Sequence, residues 1–194
     1  MIIRTRLLIE RVVILFCLLS SAFATAKDYD EFQLGKLEGK LIVQWIGPDQ
    51  FLFIPDRQKP LKFTRSNGSV IQPGRMLTDG GSIPRPIWIL RNYSPWGYAP
   101  AFIVHDWLFD MKHCKLPGYE AFSHRDAADV MAEVMKSMME TKLVAVDKAT
   151  LFSMHLAVSS PIAERLWKEG KCVPPPADFG AKKPIAEYEL DFDK

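Results

Sequence analysis

The sequence has few cysteines, no long apolar run and no histidine before position 105. Three cysteines in 194 residues exclude a disulfide-dense scaffold, and their spacing matches no paired structural zinc site. No stretch reaches the roughly eighteen apolar residues of an ordinary transmembrane helix. Lysine and arginine number 25 against 23 acidic residues, and no basic run breaks that balance. A nucleic-acid partner therefore has no electrostatic footing. No G-x-x-x-x-G-K-[ST], G-x-G-x-x-G or G-x-S-x-G string occurs, which removes the P-loop, dinucleotide-binding and α/β-hydrolase serine readings. A metal phosphohydrolase built on a His-Asp pair needs an upstream histidine, and His105 is already the first of four.

With 48% apolar residues the chain is no disordered polymer, and its length suits one domain with tails. Residues 1–26 read as a secretory signal peptide. Arg4, Arg6 and Arg11 give a basic start, Val12 to Leu19 a short apolar stretch, and Ser20 to Ala26 the small residues that a signal peptidase needs. Cys17 lacks the preceding small residue of a lipoprotein site. Export to the periplasm or beyond is the expectation. Removal of the leader leaves basic and acidic residues equal in number and two cysteines, Cys114 and Cys172. In an oxidising compartment that pair is a candidate disulfide.

Residues 27–40 are polar and are expected to be flexible. Leu41–Ile46, Gln50–Ile54 and Leu61–Thr64 have strand character, and Gly47-Pro48-Asp49, Pro55-Asp56 and Asn67-Gly68 are turn signals between and after them. A small antiparallel β-meander is expected, followed by a Gly/Pro-punctuated loop over 73–100. Helical patterning then begins. Helices are expected over 101–112, over 124–141 with Ser123 as cap and Asp126 at the third position, and over about 144–159. Pro161 then opens or kinks a final segment to Gly170. Residues 173–194 read as an extended tail. The fold class is α+β, with one domain over 41–172.

Three clusters carry chemistry: Thr78-Asp79-Gly80-Gly81-Ser82-Ile83-Pro84, His105-Asp106-Trp107 and Arg125-Asp126-Ala127-Ala128-Asp129. His105 lies in an apolar run, where a histidine is commonly a hydrogen-bonded core residue. Asp106 beside it changes that reading, because a buried carboxylate must be paired, metal-bound or protonated. Asp126 or Asp129, three apart on the next helix, is placed to accept from one ring nitrogen of His105 and leave the other free as a base. Their bland alternative is a helix start and a structural ion pair. Asp79, a carbonyl of Gly80 or Gly81, and Asp106 make an all-oxygen set of the kind that suits Ca²⁺. The alternative for Asp79 is a tight turn bonded to local amides.

These three strings, in this order, resemble a domain family of unknown function found in phages, prophages and bacterial genomes. Its pattern is T-D-[GA]-x-S-[IV]-P, H-D-W-L-[YF] and R-x-x-A-D, and the resemblance covers roughly residues 45–165. A more distant likeness is to secreted bacterial phospholipases of the A2 type, which carry a T-D loop, an H-D-x-x-Y helix and an R-x-D helix. That likeness implies a three-helix core of their kind, with His105 as the base that activates water. It implies Asp79, Gly80 and Asp106 as Ca²⁺ ligands, and Asp126 or Asp129 as the orienting group. The chain departs from those enzymes at Phe109, where they carry Tyr, and at Gly81 and Phe102, where they carry cysteines.

The leading expectation is an exported, Ca²⁺-dependent lipid-ester hydrolase acting on membrane lipid or another envelope component. Trp88, Tyr93, Trp96 and Tyr98 either meet a lipid interface or pack beneath the loop. The alternative is a phage-derived structural or binding module, with an immunity or phage protein as partner, in which the same residues form a buried polar network. A zinc hydrolase using His105 and His124 is the third reading.

Overall fold

The computed structural model describes residues 27–48, 50–78, 97–175 and 184–193. The expected leader, together with Asp79, Gly80, Trp88, Tyr93 and Trp96, lies outside them. Within them no helix is long and apolar enough to cross a membrane.

The fold is α+β. The strands are β1 (Lys36–Glu38), β2 (Lys40–Gly47), β3 (Gln50–Phe53), β4 (Lys62–Thr64), β5 (Val70–Ile71), β6 (Met76–Thr78) and β7 (Ala186–Asp191). The helices are α1 (Ala99–Cys114), α2 (His124–Glu140), α3 (Lys148–Val158) and α4 (Pro161–Glu169). All strand pairs are antiparallel, in one sheet ordered β6-β3-β2-β7 and a smaller one ordered β1-β4-β5. The expected meander is therefore split. The strands at 41–46 and 50–54 do pair, but that at 61–64 joins the second sheet.

Strand β2 shows why the larger sheet forms. Leu41 and Val43 point into the core while Lys40, Ile42 and Gln44 are half-buried, the period-two pattern of a strand covered on one face. Phe53 and Met76 join them, both fully buried. Helix α1 buries Ala101, Phe102, Ile103, Val104 and Leu108 around most of its circumference, so its N-terminal half is a core helix.

Helix α2 begins as expected. The Ser123 hydroxyl accepts from the Asp126 amide, and the Asp126 carboxylate accepts from the Ser123 amide. The Arg65 guanidinium donates twice to Glu133, each bond 2.7 Å, and ties the smaller sheet to α2.

Four helices stand where three were expected. Pro161 opens the final segment, one of the two expected outcomes, and that segment is a helix, α4, because the missing N–H costs nothing at a first helical position. Ser160 caps it by accepting from Ala163.

The two terminal segments also differ from expectation. Residues 27–40 hold a 3₁₀ turn (Tyr29–Glu31) with its own capping box, and Tyr29 and Phe32 are buried. The tail supplies β7, paired with β2 from Lys40–Asp191 to Trp45–Ala186. Its Glu187 and Glu189 are exposed rungs of an edge strand, and Asp191 is largely covered. Glu189 and Glu187 accept from Lys40 and Gln44, both at 2.7 Å.

The expected Cys114–Cys172 disulfide forms, 58 residues apart in sequence, and binds the end of α1 to the segment after α4. Tyr98 is buried rather than presented to an interface.

Candidate functional site

Helix α1 places His105, Asp106 and Asp110 on the wall of a mostly apolar cavity of about 600 Å³. The cavity lies between α1, α3 and α4. Phe102, Phe109, Met131, Met154, Ile162 and Leu166 supply its apolar lining, and Thr78, His113, Ser160 and Lys171 add to the polar part. That volume falls in the range of small-molecule sites.

Thr78, the last residue of β6, donates its hydroxyl to Asp106 Oδ2 at 2.7 Å. The loop string and the helix string thus meet in space. Gly74 allows the approach to β6, because a Cβ there would lie 2.6 Å from the Trp107 ring. Trp107 of the His-Asp-Trp string is thereby a packing residue.

His105 is 8% exposed. Its Nδ1 lies 3.4 Å from Asp106 Oδ1, a long contact, and its ring leans on Phe109 at 4.9 Å. Its Nε2 is buried and has no hydrogen-bond partner among the described residues. Buried polar atoms are almost always paired, so a nitrogen left open beside a cavity is a site for something to bind.

Asp110 did not stand out in the sequence. Burial raises its pKa to about 6, and the nearby charge of Asp106 adds to the shift. The available signal was its spacing, four residues after Asp106 and so on the same face of α1.

The two carboxylates expected to orient His105 do other work. Asp126 is spent on the α2 capping box with Ser123. Asp129 accepts from His155 Nε2 at 2.9 Å and from the Lys27 ammonium. Burial would raise the pKa of Asp129, but the bonds from His155 and Lys27 outweigh it and hold the group below the usual carboxylate value. Ala127 and Ala128 between them are fully buried small residues that permit close packing. The string at 125–129 thus shapes the fold, and the carboxylate beside His105 is its own neighbour, Asp106.

Of the expected calcium ligands, Asp106 is described, whereas Asp79 and Gly80 lie outside the described residues. No three His, Cys, Asp or Glu gather as a metal-ligand group among the described residues. Of the two histidines of the zinc reading, His124 is engaged elsewhere. His124 Nε2 donates to the Val158 carbonyl at 2.8 Å, and burial holds its pKa below the ordinary value.

A family model described as "Protein of unknown function (DUF1353)" matches residues 58–158, more than half the chain. The chain belongs to the DUF1353 family. No curated protein and no solved structure matches it. The DUF1353 region runs from before β4 to the end of α3 and so contains the Thr78–Asp106 contact, His105 and Asp129. Strand β7, helix α4 and the 3₁₀ turn lie outside it.

Proposed function

We propose that this DUF1353 protein is an exported hydrolase of lipid esters, with His105 as the general base. One observation supports the reading above all: a buried histidine with an open Nε2 stands beside Asp106 on the wall of a large, mostly apolar cavity.

Asp106 accepts from His105 Nδ1 and thereby selects the tautomer whose Nε2 carries the lone pair. Thr78 holds the other Asp106 oxygen and fixes the carboxylate in place. A water at Nε2 would be deprotonated as it attacks the ester carbonyl, and the acyl chain would occupy the cavity. Asp110, whose pKa burial raises to about 6, lines the same cavity and can exchange a proton near neutrality.

Asp106 presents hard oxygen donors, and no Lys or Arg forms an ion pair with it among the described residues. That donor chemistry suits calcium. Asp79, the Gly80 carbonyl and Asp106 would hold Ca²⁺, which when bound polarises a carbonyl and stabilises an oxyanion. The reading parallels the phospholipase-like expectation, with Asp106 rather than Asp126 or Asp129 beside the histidine.

The second reading is a non-enzymatic phage-derived module, with an immunity or phage protein as its partner. The Thr78–Asp106 bond and the Asp129–His155–Lys27 cluster favour it, since both lock elements together. The open Nε2 of His105 weighs against it because it stands beside the cavity; His155 Nδ1 is also buried without a partner, but His155 does not line that cavity.

The test is hydrolysis of short- and long-chain acyl esters by the purified protein, with calcium and with chelator. Hydrolysis that needs both His105 and calcium supports the enzyme. A parent protein inert on every ester supports the module.

A further inference from the structure

Helix α4 turns two large apolar side chains outward. Ile162 is 67% exposed and Leu166 50%. Four residues apart, they share one helix face. Both also line the cavity, so apolar surface runs without a break from solvent to the neighbourhood of His105. An apolar patch joined to a cavity in this way marks an interaction surface.

The charge beside this face has one sign in excess. The Cys114–Cys172 disulfide brings Lys115 and Lys171 to the same corner, and Lys171 lines the cavity as well. Both lysines are exposed, as is Arg165 on α4. None of the three has a carboxylate within ion-pair distance among the described residues, whereas the neighbouring Lys168 is neutralised by Glu164 at 2.6 Å. Glu169 at the end of α4 is exposed as well, so Lys115, Arg165, Lys168 and Lys171 against Glu164 and Glu169 leave an excess of two positive charges. Apolar side chains on one helix face with that excess beside them match the chemistry of an anionic bilayer surface.

We infer that the exposed face of α4, with Lys115, Arg165 and Lys171, docks on an anionic lipid surface. The cavity mouth then opens onto the bilayer, and an acyl chain slides past Ile162 and Leu166 toward His105 without crossing water. This deepens the lipid-ester reading and rests on it for the cavity's occupant, but the docking can be measured without any turnover.

The experiment is co-sedimentation of the chain with phosphatidylglycerol-containing vesicles and with phosphatidylcholine vesicles, beside sedimentation velocity of the protein alone. The protein should pellet with the anionic vesicles far better than with the neutral ones. Ile162→Glu with Leu166→Glu should lower that partition by about tenfold or more at an unchanged circular dichroism spectrum. Lys115→Glu with Arg165→Glu should abolish the preference for anionic vesicles, a readout that does not depend on the apolar pair. Vesicle binding insensitive to all four substitutions would overturn the inference. So would a concentration-dependent dimer abolished by Ile162→Glu in a protein that ignores vesicles, which would assign the face to a second copy. Absence of vesicle binding together with His105-dependent hydrolysis of a soluble short-chain ester would sink the docking surface alone. Vesicle binding through α4 by a protein inert on every ester would support the surface and sink the hydrolase reading.

Discussion

Thr78 and Asp106 meet across 28 residues of sequence, and the 2.7 Å bond from hydroxyl to carboxylate joins the end of β6 to the helix that bears His105. Removing the hydroxyl leaves a half-buried carboxylate oxygen without its donor. Thr78→Val should therefore lower stability by about 1–3 kcal/mol, the range for orphaning a buried polar group. Thr78→Ser should restore most of it. Urea unfolding of the three proteins checks this, with ester hydrolysis following the same order.

How much of this was legible beforehand differs by element. Helix α2 reads directly from Ser123, Asp126 and the spacing of Ala127, Val130, Met131 and Val134, because caps and periodicity are local. The Cys114–Cys172 bridge follows from there being two cysteines after the expected leader. Strand β7 does not read as a strand, because its six residues contain three acids and its partner β2 lies about 140 residues earlier; only cross-strand pairing with Lys40 and Gln44 gives those acids a role. The same limit applies to the site. Asp126 and Asp129 are equivalent on paper, and what separates them is which cation, hydroxyl or amide the fold delivers to each.

Asp129 is the clearest case, and it makes a structural prediction. It holds Lys27 and the buried His155, so Asp129→Ala should strand His155 and free the N-terminal segment. Leaving the buried His155 Nε2 without its acceptor costs about 1–3 kcal/mol. Hydrogen exchange at 27–32 should rise in this variant. Asp126→Ala should cost about 0.5–2 kcal/mol, the worth of a cap, and leave that exchange unchanged.

The same carboxylate sets part of the acid limb of stability. Its folded pKa lies below the unfolded value, so its contribution is fully present above the unfolded pKa of 3.8 and is lost as pH falls through the folded value. Melting temperatures measured downward from pH 5 should fall less steeply for Asp129→Asn than for the parent protein.

Asp110 works in the opposite sense. Burial raises its folded pKa to about 6 from 3.8, so the folded state holds this proton more tightly than the unfolded chain. Its contribution favours folding below pH 3.8 and is lost as pH rises to about 6. Asp110→Asn should therefore be more stable than the parent at pH 8, and the gap should close toward pH 4. Thermal melts across that range check it.

Reduction of the Cys114–Cys172 bridge, or Cys114→Ser with Cys172→Ser, should remove about 3–4 kcal/mol by freeing a loop of 58 residues in the unfolded chain. Denaturant curves with and without reductant measure it.

The most direct measurement is the rate of long-chain acyl ester hydrolysis by the parent protein and by His105→Gln, at matched circular dichroism spectra. General-base catalysis contributes about 10²–10⁴-fold. The parent should hydrolyse the ester, and the variant should lose at least about a hundredfold of that rate. Equal rates in the two proteins, or no hydrolysis by the parent, would contradict the assignment of His105 as the base.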